Sequence, residues 1–145
     1  AVIASVEPYD DAEIFLRMLN HYMLTADKPI KAVLRSGITT QAVYNEKMAI
    51  LQALLLRAIG VNNSHYDIQL EIIKPENIKK AQKPFIYVED CVENLAASKA
   101  KHKILKNHSY NSEIVYPVLN GMKHTRVYTL SETFTVIKNI LDNVK

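Results

Sequence analysis

Phe85-Ile86-Tyr87-Val88-Glu89-Asp90-Cys91-Val92-Glu93-Asn94-Leu95 decides the fold: an apolar run behind Lys83-Pro84 ends in two adjacent acids and turns at once into a helical pattern. In an open α/β sheet, ligands bind just beyond the carboxyl ends of the strands, so acids at that point face the site. Glu89 and Asp90 are therefore the first candidates for function. The plainer reading is a solvated strand end, with Cys91 or Glu93 starting the next helix, where negative charge is favoured.

Working outward, the other segments alternate in the same way. Ala1–Val6 is short, apolar and partly β-branched, so it reads as a strand closed by Pro8. Asp10 or Asp11 then caps a helix over Asp11–Met23, with Ile14, Phe15, Met18, Leu19 and Tyr22 on its apolar face. Ile30–Arg35 is a second strand that runs into Ser36-Gly37. The longest helix, Thr40–Ala58, has Thr39 or Thr40 as N-cap, an apolar stripe through Val43, Ile50, Leu51, Leu54 and Leu55, and a stop at Gly60. Tyr66–Ile72 alternates with period two, as a strand should. Pro75–Lys80 is one helical turn or a loop. After the strand Phe85–Val88 come a helix over Val92–His102, a brief strand Lys103–Lys106, the turn Asn107–Asn111, a β-rich piece Glu113–Leu119, the run Arg126–Tyr128 and a last helix capped by Ser131. Strands alternating with helices of ten or more residues point to βαβ units. The expected architecture is α/β: one doubly wound, mostly parallel sheet with helices on both faces, in a single domain over 1–145.

Composition narrows the classes of function. A chain of 145 residues can bury a core without staples, and 48% apolar with 23% charged residues is ordinary for a globular protein. The net charge of +3 is too mild to argue for nucleic acid, although Lys99, Lys101, Lys103 and Lys106 form its densest basic run. The tyrosines are dispersed and form no stacking stripe for single strands. A lone cysteine, Cys91, leaves no internal disulfide and no Cys-based zinc site, and fits a reducing compartment. No apolar stretch approaches the ~20 residues of a membrane span and no signal peptide is evident, so the expected location is cytoplasmic, away from membranes. His21, His65, His102, His108 and His124 show no metal-ligand spacing, and no Gly-x-Gly-x-x-Gly or Walker A run is present.

The run from Phe85 to Leu95 resembles the fourth motif of the haloacid dehalogenase superfamily, in which a strand ends in paired acids. More specifically it is similar to the nucleotide phosphatases of that superfamily, the deoxyribonucleotidase-like branch. Other pieces arrive in the family's order. Ala32-Val33-Leu34-Arg35-Ser36-Gly37 resembles the second motif, Tyr44–Leu51 the helix after it, and Lys79 or Lys80 the motif-three lysine. Asn107–Asn111 resembles the loop after the fifth strand, and Arg126-Val127-Tyr128 the usual ending. The resemblance implies that the strand ending at Glu89 lies next to the N-terminal strand, which lies next to the strand ending at Ser36. It also implies a phosphate cleft formed by Ser36, Gly37 and Lys79 or Lys80, and a magnesium site at Glu89 and Asp90.

The departures carry equal weight. The family's first strand ends in Asp-x-Asp, nucleophile and general acid/base, whereas Ala1–Val6 runs into Glu7-Pro8. Asp10 and Asp11 lie beyond Pro8. Glu89 stands where the family usually has Asp, one methylene longer than a tight magnesium site favours. Covalent phosphoryl transfer needs a carboxylate nucleophile in line with phosphorus, and that group is missing. The expectation is therefore a non-catalytic domain that binds a protein partner, a second copy of itself or a small phosphorylated ligand. The alternative is a magnesium-dependent nucleotide phosphatase in which Asp10 or Asp11 serves as a displaced catalytic residue.

Overall fold

Ala12, Phe15, Leu16, Leu19 and Met23 recur at three- and four-residue spacing and bury one stripe of the first helix, α1 (Asp10–Thr25). A computed structural model gives these positions; it describes residues 10–38, 40–60, 65–72, 84–112, 119 and 121–144, with the backbone alone at 10, 35–38, 67–72 and 112. The buried stripe is turned from the expected one: Phe15 and Leu19 belong to both, but Ile14 is 53% exposed. Tertiary packing made that choice, because α1 lies between α2 (Gln41–Ile59) and the C-terminal helix and must present a face to each. The helix begins at Asp10, so Asp11 sits inside its first turn rather than capping it.

α2 has the ends its sequence specifies. The Thr40 hydroxyl accepts the amide of Val43 at 3.3 Å, and Gly60 closes the helix at φ 83°, in the left-handed region that favours glycine. It connects β1 (Ala32–Ile38) to β2 (Tyr66–Ile72), which pair in parallel from Ala32 opposite Tyr66 to Ile38 opposite Ile72. The first strand thus extends beyond Arg35 through Ser36 and Gly37.

The second sheet is also parallel, in the order β3 (Ile86–Glu89), β4 (His102–Lys106), β5 (Thr125–Val127). Glu89 is opposite Leu105, and Lys106 is opposite Val127. Neighbouring strand residues point to opposite faces. Accordingly Val88, Ile104 and Val127 join a core with α1, α2 and the C-terminal helix, while Tyr87 and Leu105 join a second core with Val92 and Leu95 of α3 (Val92–Ala97). Helices therefore cover both faces of this sheet. The first core also takes Ala32 and Leu34 from β1, so it runs from one sheet to the other. The fold is mixed α/β on parallel strands.

Other boundaries also differ from expectation. α3 stops at Ala97 rather than His102, since Ser98 is extended (φ −71°, ψ 146°) and the chain must straighten for His102 to donate to the Phe85 carbonyl at 3.0 Å. Asn107–Asn111 contains the start of a one-turn helix, α4 (Ser109–Ser112). The last helix, α5 (Leu130–Asp142), is capped by Thr129 and not Ser131: the Thr129 hydroxyl accepts the Glu132 amide at 3.0 Å. Thr129→Ala is expected to cost about 1 kcal/mol and Ser131→Ala far less. Thermal denaturation of both variants checks this, and the cap assignment fails if Ser131→Ala is the more damaging.

The expected strand Ala1–Val6, the segment Pro75–Lys80 and most of Glu113–Leu119 lie outside the described residues.

Candidate functional site

The two acids that end β3 have opposite fates. Glu89 follows Tyr87 on the same face of the strand, so its carboxyl enters the smaller core and is only 6% exposed. There the Tyr87 hydroxyl donates to Oε2 at 2.8 Å, and the amides of Asp90 and Cys91 donate to Oε1 at 3.0 and 3.2 Å. Burial, followed by the hydrogen bond that the protonated carboxyl makes to Asp90, pushes its pKa up to about 7. Asp90 is half-buried at the mouth of the strand. Burial raises its pKa, but hydrogen bonds from Glu89 and from the Tyr110 hydroxyl outweigh that, and its carboxyl titrates below the ordinary range. Of the two, Glu89 takes up a proton first as pH falls, and Asp90 keeps its charge to lower pH.

Around Asp90 the carboxyl ends of β3, β4 and β5 are joined through Asn111, which is 1% exposed. Its side-chain amide donates to the carbonyls of Asp90 and Lys106, both at 2.9 Å. Its Oδ1 accepts the His108 amide at 2.9 Å and a guanidinium N–H of Arg126 at 3.1 Å. Arg126 also donates to Asn107 Oδ1 at 2.8 Å and to the Asn111 carbonyl at 3.3 Å. Both donors and both acceptor positions of the Asn111 amide are used. Over this layer the rings of His108 and Tyr110 stack with centroids 4.7 Å apart. The Cys91 thiol, half-buried, is pushed up by burial and by Glu93 and Glu89, so it carries little thiolate.

Sequence reasoning identified the acidic pair and the loop after β4 but not Asn111 or Arg126 as the residues that hold them. A usable signal was present: in a parallel sheet every strand ends on the same side, so the polar residues after β4 and β5 belong with Asp90. Of the other expected site residues, Ser36 and Gly37 lie in the last part of β1, opposite Leu70 and Glu71. Their side-chain placement, and all of Lys79 and Lys80, lie outside the described residues. Asp11 is exposed on α1, and of Asp10 only the backbone, the first residue of that helix, is described.

Magnesium takes carboxylate oxygens that are ionised and free to coordinate. Glu89 fits that role poorly, because it is buried and both of its oxygens accept hydrogen bonds from the chain itself. Asp90 is ionised and half-exposed, and fits as a single ligand. Among the described residues no three His, Cys, Asp or Glu side chains are grouped to hold a metal ion, and no helix is long and apolar enough to cross a membrane. Compared with family models, curated proteins and solved structures, the chain matches none.

Proposed function

We propose that this chain is a haloacid-dehalogenase-like domain that works by binding, without hydrolysis. Its ligand is a small phosphorylated molecule or a protein partner met at the carboxyl ends of the strands. The observation that carries this reading is the internal engagement of the acidic pair. Glu89 is enclosed with both carboxyl oxygens accepting hydrogen bonds from the chain, and Asp90 accepts the Tyr110 hydroxyl, so the pair offers a cation one carboxylate rather than the two of a shared site. The missing Asp-x-Asp after the first expected strand points the same way.

A strand at Ala1–Val6 between β1 and β3 would make one doubly wound sheet of the two parallel pieces. The core that runs from Leu34 to Val88 and Ile104 supports a single layer. In that arrangement the strand order would reverse between the N-terminal strand and β3, the place where open α/β sheets bind ligands.

The test is phosphate release from nucleoside monophosphates and from an aryl phosphate with magnesium present. No turnover above the uncatalysed rate is expected, and Asp90→Asn should change nothing, since positioning alone recovers only a small part of a covalent enzyme's acceleration. Magnesium-dependent release that disappears in Asp10→Asn or Asp11→Asn would overturn this reading and establish the phosphatase alternative.

A further inference from the structure

At the other end of the second sheet, the amino ends of β4 and β5, lies an open groove of about 510 Å³. Lys101 and Lys103 flank the first residue of β4, and Lys123 comes two residues before β5; all three line the groove. Its remaining wall is small and apolar, from Ala96, Ala100 and Met122. Met122 and Ala100 also pack in the smaller core, so this wall is anchored to the sheet. We propose that the groove binds the diphosphate group of a phosphorylated ligand, at a site separate from the acidic pair and independent of the function proposed above.

Three observations carry the inference. The first is charge: between Asn94 and Ser131 the chain has Lys99, Lys101, Lys103, Lys106, Lys123 and Arg126 against the single acid Glu113, so the mild overall charge conceals a strongly basic region. The second is pairing: among the described residues no carboxylate reaches Lys101, Lys103 or Lys123. Among the described residues the Lys103 ammonium donates to the Ala96 carbonyl, at 3.4 Å, and Lys101 rests over the Phe85 ring, 5.8 Å from its centroid. Each ammonium has three donors, so each keeps donors for an anion. The third is size: the volume lies in the range of small-molecule sites, roughly 300–1,000 Å³, and an apolar wall beside three cations suits an organic body attached to a multiply charged head. Lysine serves phosphate as a point charge, and two or three such charges match a diphosphate.

Titration of the whole protein with inorganic pyrophosphate, ADP and adenosine, followed by calorimetry and by amide chemical shifts, tests the proposal. Pyrophosphate and ADP should saturate one site, with shifts at Ala96, Ala100 and Met122, and should weaken as salt is raised; adenosine alone should not bind. Equal affinities would mark a site that reads the diphosphate, and tighter binding of ADP would add the nucleoside on the Ala96–Met122 wall. Both outcomes support the proposal. The double substitution Lys101→Ala/Lys123→Ala, at two exposed positions, should weaken binding about tenfold per lysine, which is ~1.4 kcal/mol each. Gly121→Leu adds bulk at the groove wall and keeps the lysines; a Cβ at Gly121 meets no atom within 4 Å, so the first added atom makes no clash, and the substitution should weaken binding. The absence of saturable binding would overturn the proposal. So would affinity unchanged in both variants, or shifts confined to Asp90 and Asn111.

Discussion

Asn111→Ala is expected to destabilise the protein by about 3 kcal/mol and to lower its melting temperature by roughly 10 °C. The side chain makes four hydrogen bonds from a position that is 1% exposed, and they connect the ends of β3 and β4 with Arg126 of β5. Truncation leaves the carbonyls of Asp90 and Lys106 and the amide of His108 without that partner. Each buried group left unsatisfied costs ~1–3 kcal/mol, reduced where water enters the space. Asn111→Asp separates donors from acceptors: it keeps Oδ1 for His108 and Arg126 but turns a carboxylate toward two carbonyl oxygens. It should therefore be as damaging as alanine at neutral pH and partly recover in acid. Thermal and denaturant unfolding followed by circular dichroism measure both, and a loss under ~0.5 kcal/mol for Asn111→Ala would show that the amide is not the junction of the three strands.

The second large effect is a pH dependence located at Glu89. Its pKa is raised from an ordinary 4.5 to about 7 by burial and by the hydrogen bond to Asp90. The folded state thus binds more proton than the unfolded state between those values, and stability falls as pH rises through the interval. At 1.36 kcal/mol per pKa unit the loss is on the order of 3 kcal/mol by pH 7–8. Asp90 works in the opposite direction in a lower window: its depressed pKa contributes stability above the ordinary carboxylate range, and this is lost as the solution becomes strongly acidic. Together the two groups contribute most to stability between about pH 4 and 5. Glu89→Gln preserves the shape, still accepts the amides of Asp90 and Cys91, and has no proton to lose. It should match the parent near pH 5 and exceed it by up to ~3 kcal/mol at pH 8. Denaturant midpoints from pH 5 to 8 for the two proteins decide the matter, since parallel curves would place the titration elsewhere.

Both effects arise around the acidic strand end that the sequence singled out without distinguishing its two acids. The local signals were sufficient wherever one residue type admits few conformations. Tyr66–Ile72 alternates with period two and is a strand over those residues; Thr40 and Gly60 bound α2 as a hydroxyl cap and a left-handed stop. The strand-to-helix turn at Glu89, Asp90 and Cys91 was legible for the same reason, because an apolar run ending in acids before a helical period leaves little else to form. The buried face of α1 was decided by tertiary structure, since two flanking helices exclude Ile14 from the core although its spacing fits. Thr129 rather than Ser131 caps α5, a choice between two good caps made by where β5 delivers the chain. The two acids are chemically near-equivalent in sequence, and only strand alternation sends Glu89 inward onto Tyr87 and leaves Asp90 at the mouth. Asn111 lies 21 residues from Asp90 and 15 from Arg126, and Lys123 is as remote from Lys101 and Lys103 in the chain. Parallel pairing brings all strand ends of one kind to one side, and so places the acids and the lysines at opposite ends of one sheet, an arrangement that no local pattern of residues encodes.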